Sequence, residues 1–265
     1  MTKECINVEV LPRAAALLTP TETGTVQMQG DTPRSPKRQK ALHKRDFEAI
    51  NSASVQELIA NARTRELVTE CEEMIARLAI SNAHEALVCQ LMLVSGLRLN
   101  EVMSLKPHES MLLSGLRITQ GTKDGKSRYI PFSKVPSSAQ RQHEVYSRCL
   151  EYAKTTDDGS MKYKGRCKDA SRYKIQKVLA SHRDPTATFK IIGFHFRLAY
   201  VRILFEDCMV YRQSPDSQEA YESNDVNSLN VQAAIREVMH ALGHYHPFMT
   251  IHYLGWPHKS SGMKY

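Results

Sequence analysis

No stretch of eighteen consecutive apolar residues occurs in this chain, so nothing in it reads as a membrane-spanning helix. The first ten residues, Met1 to Val10, carry Glu4 and Glu9 and no apolar core, which argues against a secretory signal. Cysteine pairs at Cys-x-x-Cys spacing are also missing. The six cysteines (Cys5, Cys71, Cys89, Cys149, Cys167 and Cys208) lie scattered, the pattern of reduced thiols in a cytoplasmic protein. No internal repeat is present. Gly121 and Gly125 are separated by three residues where a phosphate-binding Walker loop needs four, and a strand rather than a helix should follow. His240, His244 and His246, with His252 nearby, place imidazoles at H-x-x-x-H spacing. They lack both the glutamate of H-E-x-x-H and any cysteine pair, so no metal and no cofactor is expected.

What the chain does have is length and positive charge. Its 265 residues can bury a real core, and a formal charge of +8 favours a polyanionic partner, nucleic acid or membrane surface. Residues 1–45 are turn-rich and polar and read as a flexible arm. The arm ends in a basic cluster, Arg34, Lys37, Arg38, Lys40, Lys44 and Arg45, suited to lying along phosphates. From Asp46 the apolar residues recur three and four apart, predicting helices over Phe47–Ile50, Val55–Ala62 and Leu67–Ile80. Ser81-Asn82 offers an N-cap for the next helix, which Gly96 lets end. Arg117–Thr119 and Arg128–Phe132 read as strands around the Asp124-Gly125 turn. A helix should follow over Ala139–Ala153, then a basic loop over Thr155–Lys174. Further helices are expected over Tyr173–Ser181, Phe194–Val210 and Val231–Leu242, with an exposed insertion near 212–230. The fold class is therefore mainly α with a small antiparallel sheet, one domain over 46–255 and a short tail over 256–265.

Five residues stand in contexts that suit attack on a phosphodiester. Arg98 follows an apolar helix in Ser95-Gly96-Leu97-Arg98, and Glu101, three residues on, can hold its guanidinium from behind. Lys123 belongs to the hairpin, where a mobile amine can protonate a leaving oxygen. Arg197 lies near the start of a helix and off the apolar stripe of Phe196, Ala199, Tyr200, Ile203 and Leu204. A cation is unfavourable there for stability alone, because the helix dipole opposes it. His244 follows Leu242-Gly243, and Tyr253 comes nine residues later. On one straight helix that spacing would put the two on opposite faces, but Pro247 breaks the chain between them. A phenol ordinarily ionises near pH 10 and is a poor nucleophile, so Tyr253 needs cationic or basic neighbours.

The order and contexts of Arg98, Lys123, Arg197, His244 and Tyr253 resemble the catalytic domain of tyrosine recombinases, the phage-type integrase family. The similarity runs from about Lys40 to Leu254. It implies the fold of that catalytic domain and a DNA strand-exchange enzyme needing neither ATP nor metal. Tyr253 would form a 3′-phosphotyrosyl bond, Arg98, Arg197 and His244 would hold the non-bridging oxygens, and Lys123 would protonate the departing 5′ oxygen. Double-stranded DNA is the implied partner, bound by a homodimer or homotetramer with accessory recombination factors, at the nucleoid. Three departures are visible. Phe194 stands where the family usually has histidine or another polar residue, with His195 adjacent as the nearest substitute. The Arg197-to-His244 gap is about twenty residues longer than is usual in the family. The arm is also too short and too polar for the family's N-terminal clamp domain. A silent DNA-binding relative and a telomere resolvase are the alternatives left open.

Overall fold

The computed structural model describes residues 62–122, 125–213, 226–244 and 247–254, and the account below is confined to these. The basic arm, the helices expected before residue 62, Lys123, Asp124 and the tail after 254 lie outside them.

The chain opens with α1 (Ala62–Ser81) and α2 (Ala83–Ser95). Asn82 occupies the cap position between them, but its side chain makes no capping bond; its amide nitrogen donates to Ser81 Oγ at 2.8 Å instead. Helix α2 is mostly apolar and buried on nearly every face, as a helix at the centre of a core should be. Two short helices, α3 (Leu99–Ser104) and α4 (Pro107–Ser110), lead into the sheet. The sheet is antiparallel, ordered β1 (Met111–Leu112), β2 (Gly115–Ile118), β3 (Arg128–Pro131). In its register Leu116 faces Ile130 and Ile118 faces Arg128.

Helix α5 (Pro136–Ala153) begins three residues earlier than the sequence pattern indicates, because Pro136 sits in its first turn, where a missing N–H costs nothing. The basic stretch expected to be a loop up to Lys174 is helical from Lys168: α6 (Lys168–Ser181) buries Ser171, Ile175 and Leu179 at four-residue spacing. Helix α7 (Gly193–Gln213) is the axis of the core and packs against α1, α2, α8 (Val226–Leu242) and α9 (Pro247–Tyr253). The proposed insertion is narrower than 212–230. Arg212 is a buried residue of α7, Asn230 is a buried residue of α8, and only 214–225 lies outside the described residues.

The fold is thus mainly helical with one small antiparallel sheet. Among the described residues no helix is long and apolar enough to cross a membrane. The five described cysteines are all free thiols.

Candidate active site

The site is assembled where α2, β3, α7 and α8 end or begin. Helix α2 stops because Gly96 turns left-handed, at φ +61°, and sends its N–H to the Met92 carbonyl at 2.8 Å. Only glycine fits, since a Cβ there would stand 2.2 Å from the Tyr200 ring. Two residues on, Arg98 is the extended residue that precedes α3, with its side chain 35% exposed. Glu101 reaches back to the Arg98 backbone N–H at 2.7 Å, as the third residue of a helix does in a capping box. The same carboxylate, wholly buried, accepts from Arg98 Nη1 at 3.1 Å and from both amino groups of Arg128 on β3, Nη2 at 2.7 Å. Burial alone would raise the Glu101 pKa, yet the Arg128 hydrogen bonds and charge, the Arg98 N–H and the Arg197 charge outweigh it and hold it below the ordinary value.

Arg197 is almost completely enclosed, at 1% exposure, which differs from its expected place off the buried stripe. Its amino groups donate to two backbone carbonyls, Nη1 to Gly96 and Nη2 to Leu242 at 3.0 Å. These bonds tie the end of α2 to the end of α8. Burial, then the neighbouring charges of Arg98 and Arg128, bring its pKa down to about 10, still well above neutrality. Three guanidinium groups therefore lie within reach of one carboxylate's charge, and only Arg98 and Arg128 are bonded to it.

Helix α8 ends at Leu242; Gly243 is left-handed at φ +68°, and the His244 N–H bonds the Met239 carbonyl at 2.9 Å. Pro247 starts α9, so His244 closes one helix and Tyr253 rides the next, as the spacing predicts. The His244 Nδ1 lies 3.0 Å from Thr250 Oγ1, a buried hydroxyl one turn before Tyr253. The imidazole stands edge-on to the Tyr253 ring at 5.0 Å between centroids, and the Arg197 guanidinium lies 6.0 Å from that ring's centroid. Phe194 also stands edge-on to Tyr253, at 5.5 Å between centroids. Burial first, and then repulsion from Arg197, Arg98 and Arg128, pushes the His244 pKa down to about 3. It is a neutral imidazole at physiological pH. With Thr250 donating to Nδ1, Nε2–H is a donor for an anion; in the other tautomer Nε2 can take a phenolic proton. A neutral imidazole beside a phenol, among cations in excess of their carboxylate, can bind an oxyanion and lower the barrier to nucleophilic attack on it.

Arg98, Glu101, Arg197, His244 and Tyr253 are therefore brought together from four separate segments. Lys123 lies outside the described residues, although its hairpin is anchored: a Cβ on Gly121 would come within 2.6 Å of the Asn100 carbonyl, two residues past Arg98. His195 is not part of the group. Its Nδ1 accepts the Ile192 N–H at 3.0 Å, its ring neighbours are Phe189 and Phe194, and after burial its pKa responds to Arg183 and Glu70. It does not fill the place that Phe194 leaves. Of the clustered histidines, His240 is exposed, His246 and the side chain of His252 lie outside the described residues, and His244 alone is seen at the site.

Two participants are not evident from the sequence pattern, Arg128 and Thr250. Arg128 had a usable signal: it shares a strand face with Ile130, so a charge stands on the buried side. Near the site, from Lys162 to Lys190, the chain carries many basic residues and only Asp169 and Asp184 against them. Lys164, Arg166 and Lys177 are exposed, and Arg172 reaches Asn100 Oδ1 at 3.1 Å, tying α6 to the helix that Arg98 begins. Compared with family models, curated proteins and solved structures, the chain matches none.

Proposed function

We propose that the chain cleaves and rejoins DNA strands as a tyrosine recombinase does, with Tyr253 as nucleophile. The observation that carries this reading is the convergence of Arg98, Arg197, His244 and Tyr253, distant in sequence, around one buried but under-neutralised cluster. In the proposed reaction the Tyr253 oxygen attacks the scissile phosphorus and the P–O5′ bond breaks. The departing oxygen takes a proton from Lys123. Arg98 and Arg197 offset the charge that builds on the non-bridging oxygens. His244 accepts the phenolic proton or donates to the phosphate, according to tautomer. A 5′-hydroxyl of the partner strand then reverses the step, so no energy source is consumed. The excess of basic over acidic residues from Lys162 to Lys190 supports a polyanionic substrate.

One observation favours a second reading, a silent DNA-binding relative: the other ring packed edge-on against Tyr253 is that of Phe194, which can neither take nor give a proton. Incubating the protein with nicked suicide DNA bearing candidate target sites separates the two. The strand-cleaving reading expects a covalent protein–DNA band that disappears in Tyr253→Phe. DNA binding without an adduct, together with adduct formation by Phe194→His, would establish the silent relative; no DNA binding sinks both readings.

A further inference from the structure

Arg128 is the member of the cluster to which the reaction above gives no role. Its side chain is 7% exposed, against 35% for Arg98, and both its amino groups are engaged by Glu101. Its charge is thereby offset by a carboxylate, whereas the amino groups of Arg197 meet only neutral carbonyls. Two contacts point to a different task. Through Glu101 it is bonded to the carboxylate that holds both the backbone and the guanidinium of Arg98. Through its aliphatic stem it underlies the turn before His244, because a Cβ on Gly243 would stand 3.2 Å from Arg128 Cδ. Strand β3 also packs along α8, which delivers that turn.

We propose that Arg128 is a positioning residue that locks the Arg98 helix start and the Gly243-His244 turn into one geometry from behind the site. The proposal rests on the strand-cleaving reading for its consequence, though not for its geometry. The planar fork matters, since a guanidinium engages both oxygens of Glu101 while an ammonium engages them only as a point charge. Arg128 also contributes to the field at His244, which is faced by Arg197 from α7, Arg98 ahead of α3, Arg128 from β3, and Thr250 and Tyr253 from α9.

Arg128→Lys keeps the charge and removes the fork. With suicide DNA it should slow covalent adduct formation by roughly tenfold to a hundredfold, the effect of a small misplacement of site groups. Its affinity for DNA should stay within about threefold, because no phosphate contact is lost. Arg128→Met removes the charge as well, and the His244 imidazole, followed by NMR, should then titrate at higher pH than in the wild type. Should Arg128→Met fail to fold, Glu101→Gln removes the counter-charge of Arg128 and should move that titration the opposite way. The inference is overturned if Arg128→Lys forms adduct at the wild-type rate, or if its loss falls on DNA affinity instead. It is equally overturned if the His244 titration is indifferent to these changes. A wild type that forms no Tyr253-dependent adduct would remove the strand-cleaving reading, while the titrations would still judge the placement of Arg128.

Discussion

Helix α7 buries two arginines to the same depth, 1% exposure each, and treats them in opposite ways. Arg202 points toward α1 and is neutralised conventionally, with Nε at 2.8 Å and Nη2 at 2.6 Å from Glu206, a carboxylate that also meets Arg65 at 3.5 Å. Arg197, five residues earlier and so about 140° around the helix, gives its hydrogen bonds to the carbonyls of Gly96 and Leu242. Carbonyl dipoles solvate a cation without cancelling its charge. The Glu101 carboxylate nearby is already divided between Arg98 and Arg128. At one end of α7 the buried arginine is bonded directly to a carboxylate, and at the other it adds surplus positive charge beside a tyrosine. Burial by itself does not mark a functional arginine; burial without a counter-charge does, because the cost of desolvation is then recovered only when an anion arrives.

The largest test of that contrast exchanges each arginine for methionine. Arg197→Met should cut the rate of Tyr253–DNA adduct formation by about 10²–10³-fold, as removal of a preorganised charge donor does. Its folding stability should change little, since an apolar side chain in place of a buried cation is often tolerated and offsets the two carbonyls left unbonded. Arg202→Met should show the reverse: near wild-type adduct formation and a stability loss of about 1–3 kcal/mol in urea unfolding, from the lost hydrogen bonds to Glu206. If both variants lose stability equally and keep the same rate, the distinction between the two ends of α7 is wrong.

An effect on stability is also expected at Gly96, whose carbonyl is one of the two that Arg197 uses. Alanine there meets a left-handed backbone and the Tyr200 ring 2.2 Å away, so Gly96→Ala should lose about 2–4 kcal/mol. Gly159 supplies the control, with φ +68° and nothing within 4 Å of its would-be Cβ. Gly159→Ala should cost only the backbone part, about 1 kcal/mol. Equal losses in the two urea titrations would mean that contact with Tyr200 contributes nothing to the turn.

These contrasts also show what the residue pattern could and could not carry. The helices with apolar residues at regular helical spacing, α1, α2, α5, α7 and α8, are legible from the pattern, with ends shifted where polar first turns hide them. Helix α6 shows the limit: its first turn, Lys168-Asp169-Ala170-Ser171, is polar, and the residue it buries there is a serine. Helices α3 and α4 and strand β1 are too short to display a period at all. At the site, Arg98, Glu101, His244 and Tyr253 meet as their local contexts indicate. Periodicity puts Arg197 off the buried face of its helix because it counts arginine as polar, whereas here backbone carbonyls make its burial feasible. Arg128 and Thr250 act through partners 27 and 6 residues away, and pairing of that kind is set by the fold rather than by any local pattern.

The effect that most sharpens the comparison is that of a proton. In the unfolded chain His244 should titrate near the ordinary 6.5; in the folded protein burial, Arg197, Arg98 and Arg128 push it down to about 3. Between those values the unfolded chain holds a proton that the folded chain refuses, so stability is fully present above pH 6.5 and declines as pH falls toward 3. His84 and His195 are also depressed, chiefly by burial, and contribute to the same acid-side decline. The informative quantity is therefore a difference between variants. Urea unfolding of His244→Gln across pH 4 to 7 should show a shallower dependence than the wild type, by about one proton at most. Arg197→Met should flatten it partially, because it removes the largest charge acting on His244, while Arg202→Met should leave it unchanged. Parallel wild-type and His244→Gln curves would mean that the imidazole feels no excess charge. The surplus cation at the Arg197 end of α7 would then be screened by something other than a waiting anion.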